Sequence, residues 1–160
     1  MIDDACLRLI LWLTIVIFCT DYTSYLVLNL VVNRMEKVNY KKLSLVYSCS
    51  GSSSAGQLAH LTALDLDFSG ITEMSCIAGV GGGVKSKVKL ALEGREIIAL
   101  YGCSLNCVKS CLAKIRVDAD HHFTLTEMGY KKQYHKRCDL SQIESLKKKV
   151  ESVLSSKPIV

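Results

Sequence analysis

The sequence predicts an α/β fold: a single three-layer domain with a mostly parallel sheet flanked by helices, preceded by an apolar N-terminal extension. Three observations carry that reading. Apolar runs of strand length recur, each closed by a turn of small residues and followed by apolar positions at helical spacing. Cys49, Cys76 and Cys103 each close one of these runs, and each has a glycine within three positions. Successive members are 27 positions apart, the length of one βα unit rather than a sequence repeat, since the flanking residues barely match. The element order then reads βαβαβαβα, which builds a parallel sheet covered by helices.

Residues 1–34 stand apart as an apolar extension, and residues 35–160 form the α/β domain. Leu9 to Cys19 is an unbroken apolar-plus-Thr run containing Trp12, and Tyr25 to Val32 is apolar again except for Asn29. The first block is shorter than the ~20 residues of a membrane span, and joining the two blocks would bury Asp21. Asp3 and Asp4 oppose Arg8, so the basic opening of a signal peptide is missing. Two readings fit better: a false start ahead of Met35, or a membrane anchor. With an anchor, Arg34, Lys37, Lys41 and Lys42 would hold the domain on the cytoplasmic side. With a false start the domain is simply cytoplasmic.

Within the domain, Leu43 to Tyr47 reads as the first strand. A loop of small residues, Ser48 to Gly56, leads into a helix over Gln57 to Leu66. Ile71 to Ile77 reads as a short second strand ending near Cys76, and Ala78 to Gly83 as a flexible glycine turn before a helix over Val84 to Leu92. Ile97 to Leu100 is the third strand. It breaks at Gly102, and Cys107, Val108, Cys111, Leu112 and Ile115 continue at helical spacing. His121 to Met128 alternates as a strand, Lys131 to Arg137 is a basic loop, and Asp139 to Leu154 is a helix opened by a Ser141/Glu144 capping box. Pro158 lies beyond its end.

Composition narrows the function. The chain has 160 residues, enough for one ordinary core, and a net charge of +5 from scattered lysine groups that read as a solvated surface. Three Phe and one Trp leave no aromatic platform for bases, so no nucleic-acid partner is expected. Eight cysteines is a high count, yet they sit inside an α/β pattern rather than the short, turn-rich frame of a disulfide scaffold. Cysteines at strand ends in such a chain point to a reduced compartment and to metal or thiol chemistry.

In a parallel sheet the loops after Cys49, Cys76 and Cys103 lie along one edge, where α/β proteins place their ligands. Cys107, in the first turn of its helix, points back to the same edge, and free N–H groups there favour a thiolate. Four thiolates suffice for a tetrahedral Cys₄ site of the kind zinc prefers, and backbone N–H groups of the glycine turns would offset its charge. An iron–sulfur cluster uses the same ligand set. For any single cysteine, burial as a small hydrophobe is the simpler account. Cys111 fits core packing better than ligation. Cys138 reads as a reactive or merely surface thiol, and Cys6 and Cys19 belong to the extension. His60, His121, His122 and His135 carry no ligand signal. A phosphatase reading of Cys49-Ser-Gly-Ser-Ser-Ser-Ala-Gly fails because Ala55 stands where a phosphate-clamping Arg is required. A dinucleotide reading of Gly79-Val-Gly-Gly-Gly fails because Val84 holds the last glycine position and no acidic partner follows. No complete catalytic constellation emerges, so enzymatic activity is left open.

Tyr47-Ser-Cys-Ser-Gly with Gly56-Gln-Leu-Ala, Cys76-Ile-Ala-Gly-Val-Gly-Gly-Gly, Ala99-Leu-Tyr-Gly-Cys-Ser-Leu-Asn-Cys107 and Thr126-Glu-Met-Gly-Tyr-Lys-Lys132 together resemble the DGC-domain proteins. These are small proteins named for an Asp-Gly-Cys motif, to which zinc binding is ascribed. The resemblance spans about Leu43 to Leu154. It implies Cys49, Cys76, Cys103 and Cys107 as metal ligands, with zinc as the cofactor; the ligand set by itself keeps an iron–sulfur cluster as the alternative. It names no physiological process. One departure is plain: Tyr101 stands where the family name has Asp. The expected function is therefore zinc binding without catalysis. The alternative is a thiol redox or sulfur-carrier protein using the same cysteines.

Overall fold

The computed structural model describes residues 38–49 and 51–155. The extension at 1–34, Met35, Cys6, Cys19 and Pro158 lie outside the described residues. Four strands alternate with helices: β1 (Leu45–Ser48), α1 (Ser54–Phe68), β2 (Glu73–Met74), α2 (Ile77–Gly81), α3 (Lys85–Ala91), β3 (Ile97–Tyr101), α4 (Cys107–Ala113), β4 (His121–Thr124) and α5 (Gln142–Ser155). The sheet order is β2-β1-β3-β4 and every pairing is parallel. Among the described residues no helix is long and apolar enough to cross a membrane.

Strand alternation sorts the core into two halves. Leu45, Tyr47, Ile97, Ala99 and Tyr101 face Val80, Ala91, Val108 and Leu112 on one side. Val46, Ile98 and Leu100 face Leu58, Ala59, Ala63, Leu66, Leu146 and Val150 on the other. Helices α2, α3 and α4 thus cover one face, α1 and α5 the opposite one, and the sheet is the middle of three layers. Strands buried on both faces need continuous apolar runs. β1 and β3 have them, and all four residues of β1 and all five of β3 are buried.

The order fixes where a site can form. From β1 the chain moves outward to β2 through α1, then returns past β1 to β3 and continues outward to β4. The turns after β1 and β3 therefore leave toward opposite faces and open a crevice at the carboxyl ends of two adjacent strands, the switch point where open α/β sheets bind ligands. The opposite edge is pinned by Arg95. Its guanidinium pairs with Glu73 at 2.6 Å and donates to the carbonyls of Leu43 at 2.8 Å and Tyr40 at 2.7 Å, tying the entries of β1, β2 and β3 together.

Three local expectations are corrected. The second strand keeps only two paired residues, because Cys76 turns away to cap a helix. The glycine stretch from Ala78 onward is not a flexible turn. Its first half is helix α2, whose glycines allow close packing: a Cβ on Gly81 would stand 2.7 Å from the Cys111 sulfur. At the start of α5 it is Asp139, not Ser141, that accepts. Its Oδ1 takes hydrogen bonds from the Ser141 N–H at 3.0 Å and the Ser141 hydroxyl at 2.7 Å.

Candidate thiolate site at the switch point

Cys49 directly follows β1. Its N–H continues the ladder to the Leu100 carbonyl at 3.1 Å, and its sulfur accepts the Gly102 N–H at 2.9 Å. This turn is held by backbone packed on backbone. A Cβ on Gly102 would meet the Gly56 nitrogen at 2.6 Å, and one on Gly56 would meet the Gly51 Cα at 2.9 Å. Only glycine permits such approach. The turns after β1 and β3 are thereby pressed against the start of α1, where the Ser53 hydroxyl caps the Gly56 N–H at 3.3 Å.

Cys103 follows Gly102 and sits in the β3–α4 turn. The Lys132 ammonium donates to its sulfur at 3.3 Å. Its thiol is lowered below the ordinary cysteine range, first by the Leu105 N–H facing the sulfur and then by Lys132. Cys49 moves the other way. Burial pushes its thiol up, the Gly102 N–H opposes that, and the charges of Cys107 and Cys103 raise it further. Cys107 is exposed at the first position of α4, after Asn106 in a left-handed conformation with φ 49°. Two thiols with opposite shifts thus share one crevice, and Cys103 is the one poised as a thiolate.

Lys132 comes from the basic loop after β4, which is fastened to α1. Ser54 donates its N–H to the Gln133 carbonyl at 2.8 Å and its hydroxyl to the Lys131 carbonyl at 3.0 Å. The Gln57 amide reaches the Lys136 carbonyl at 3.3 Å and accepts the Cys138 N–H at 3.2 Å. The Lys132 ammonium also lies 5.2 Å from the centre of the Tyr134 ring. No spacing rule joins residue 132 to residue 103. Only the fold brings them together.

Cys76 is placed differently. It is exposed, caps α2 through its sulfur, which accepts the Gly79 N–H at 3.4 Å, and lines a cleft of about 330 Å³ with Ser48, His60, Ser75 and Lys87. Of the four ligand candidates, Cys49, Cys103 and Cys107 therefore gather near the switch point, and Cys76 belongs to the turn after the edge strand. Among the described residues no three His, Cys, Asp or Glu side chains are arranged to hold one metal ion, so the thiols as they stand do not fit a closed Cys₄ centre. The six described cysteines are free thiols. Cys111 is half-buried, with its sulfur over Gly81. Tyr101 is buried, and its hydroxyl lies 2.7 Å from His122 Nδ1, with the two rings stacked at 5.8 Å between centroids. In place of a carboxylate, the chain has a core phenol tied to the neighbouring strand.

No solved structure matches the chain. The anaerobic and virulence modulator AnvM of Pseudomonas aeruginosa is 50% identical over 113 residues, which covers 71% of this chain and 86% of that protein. The family model of the DGC domain matches residues 45–150, from the first residue of β1 into α5. The chain belongs to the DGC domain family.

Proposed function

We propose that the chain is a regulatory thiol protein whose working group is the Cys103 thiolate at the switch point, responding to peroxide-type oxidants in a reducing, cytoplasmic compartment. The observation that carries this reading is the set of donors on the two sulfurs. The Leu105 N–H and Lys132 stabilise charge on Cys103, while Gly102 supports the buried Cys49 beside it. In the reaction the thiolate attacks the O–O bond, an S–O bond forms and hydroxide leaves. Sulfur is oxidised to sulfenic acid as the peroxide is reduced. Free thiols at six described positions and the word "anaerobic" in the relative's name suit such a role.

A second reading is supported by the charges of Cys103 and Cys107 felt at Cys49, which put three sulfurs in one neighbourhood. Cys49, Cys103 and Cys107, with Cys76 as the fourth donor, would then take a thiophilic metal. Zinc is the first expectation, with an iron–sulfur cluster as the alternative. A bound metal would supply charge neutralisation and order to the thiolates.

One experiment separates the two readings. Protein purified without oxygen is analysed for metal, and its cysteines are then alkylated with site-resolved mass spectrometry. A thiol site gives no stoichiometric metal and fast modification of Cys103. A metal site gives one metal per chain, resistance to alkylation at Cys49, Cys103 and Cys107 until a chelator is added, and colour if the metal is an iron–sulfur cluster.

A further inference from the structure

The Cys49 sulfur is tied to the residue that precedes Cys103. It accepts the Gly102 N–H at 2.9 Å, while the Cys49 N–H donates to the Leu100 carbonyl at 3.1 Å. The parallel register of β1 on β3 sets Tyr47 beside Ala99 and Ser48 beside Leu100, and so carries Cys49 on to the level of Tyr101. Only Gly102, which has no side chain to stand between the sulfurs, separates that level from Cys103. The Gly102 nitrogen and the Cys103 Cα are joined by the covalent chain of a single residue, a span of at most about 5 Å. With the 2.9 Å contact, the Cys49 sulfur therefore lies within about 8 Å of the Cys103 Cα. A disulfide bridges Cα atoms about 4.4–6.8 Å apart. Pairing these two sulfurs thus asks for side-chain rotation and a small shift of one turn, and leaves the sheet as it is.

Position also separates Cys49 from the other thiols. It is half-buried in the turn clamped by Gly51, Gly56 and Gly102, whereas Cys76 and Cys107 are exposed. Cys76 is engaged at the start of α2, where its sulfur accepts the Gly79 N–H. A shielded thiol held beside Cys103 meets that sulfur at a high effective concentration, with no diffusional encounter required. Cys107, four positions further along and at the start of α4, is its competitor.

We propose that Cys49 is the resolving thiol of Cys103, and that the two form a reversible intramolecular disulfide. The proposal rests on the thiol reading above and adds the step that follows sulfenic acid. The Cys49 sulfur attacks the Cys103 sulfur, an S–S bond forms and the S–O bond breaks. The leaving hydroxide takes the Cys49 proton and departs as water. Cys49 is oxidised as the sulfenic sulfur is reduced, so no further oxidant enters. A dithiol reductant restores both thiols. A disulfide carries no charge, so Lys132 and the Gly102 N–H lose the sulfur acceptors they have in the reduced protein. The β3–α4 turn and the basic loop are then the parts that differ between the two states.

The test uses the full chain purified without oxygen. One arm receives equimolar hydrogen peroxide; the other receives diamide, an azo oxidant that converts dithiols to disulfides without passing through sulfenic acid. Products are read on non-reducing gels and by peptide mass spectrometry. The expected product in both arms is a monomer in which the Cys49 and Cys103 peptides are joined, and dithiothreitol separates them again. Cys49→Ser keeps an acceptor for the Gly102 N–H and so preserves the turn. With peroxide it should accumulate sulfenic acid on Cys103, raising capture by dimedone severalfold over the parent. A Cys49–Cys103 link with diamide, but no reaction of Cys103 with peroxide, supports the pairing and sinks the peroxide reading. Equal capture of Cys103 by dimedone in parent and variant, with no such link, overturns the pairing and leaves the peroxide reading standing. A link from Cys103 to Cys107 in its place, or no Cys49–Cys103 link in either arm, overturns the pairing as well.

Discussion

The turns after β1 and β2 each place a cysteine at the carboxyl end of a parallel strand, yet the two sulfurs do different work. Cys49 lies under the Gly102 N–H, in a turn clamped by Gly51, Gly56 and Gly102. Cys76 is exposed and caps a five-residue helix. The difference comes from position in the sheet. β1 has parallel neighbours on both sides, so the turn after it must fit against the turn after β3. β2 is an edge strand of two residues, and the cysteine that follows it is left exposed. The same residue in the same local grammar becomes a tuned thiol at the centre and a helix cap at the margin.

The largest effect expected from this contrast is on glycine. In Gly102→Ala the new Cβ would stand 2.6 Å from the Gly56 nitrogen and 3.0 Å from the Ala55 carbonyl carbon, all backbone that cannot yield, so unfolding free energy should fall by about 2–4 kcal/mol. In Gly79→Ala the contacts are 2.8 Å to Lys87 Cγ and 3.2 Å to Lys87 Cβ, side-chain atoms of a short helix rather than a clamped backbone, so the loss should be smaller, about 1–2 kcal/mol. Urea denaturation of the two variants measures both, and equal losses would break the distinction between centre and edge.

Burial at the centre also appears in the phenol that ends β3. Burial, with the charge of Asp118 adding to it, pushes Tyr101 up from 10.0 to about 12. A raised folded value leaves stability untouched below the unfolded pKa and removes it as pH climbs from 10.0 toward about 12. The loss over that interval should be up to about 3 kcal/mol. Tyr101→Phe should remove this part of the alkaline decline, as read from melts across the range; an unchanged decline would place the ionisation elsewhere.

Changing the sulfurs themselves should have smaller consequences. Cys49→Ala leaves the Gly102 N–H without its acceptor and should cost about 1–2 kcal/mol. Cys76→Ser exchanges a thiol cap for a hydroxyl, a better acceptor at a helix start, and should be neutral or stabilising by up to about 1 kcal/mol. Thermal melts of the metal-free protein test the pair. A large loss in Cys76→Ser would mean that this thiol carries a structural duty beyond the cap.

The last prediction sharpens the comparison within the crevice and concerns rate rather than stability. Near neutral pH, Cys103 should be alkylated well before Cys49, because its thiol is lowered where that of Cys49 is raised. As pH rises the gap should narrow, since Cys49 gains thiolate later. Lys132→Met should slow Cys103 severalfold and leave Cys49 and the melting temperature nearly unchanged. Equal slowing of both would show a general loss of structure instead of a lost charge partner.

Much of this was legible along the chain. The apolar runs at Leu45 to Tyr47 and Ile97 to Leu100, the small-residue turns and the helical spacing of Val108 and Leu112 marked a parallel α/β sheet, and they located Cys49 and Cys103 at its carboxyl edge. Those signals are local: a period of two or of 3.6 is written in neighbouring residues. The matched strand end put Cys76 in the same set and the helix start added Cys107, and the family resemblance implied the same four. Less legible were the features made by distant segments. The glycine stretch after Cys76 read as a turn because glycine disfavours helix, yet tertiary packing against Lys87 and Cys111 favours α2 there.

The sequence by itself determined the class of fold, the order of elements and which end of the sheet holds the thiols, because each of these follows from burying alternating apolar residues on connected strands. The tertiary structure alone decided that Cys49 and Cys103 diverge in acidity, that Lys132 serves Cys103, and that Cys76 stands apart from the other thiols. Those facts depend on contacts between residues far apart in the chain, such as Cys49 with Gly102 and Cys103 with Lys132. Charge, burial and hydrogen bonding act through space, and a spacing pattern records only what lies within a turn or a strand.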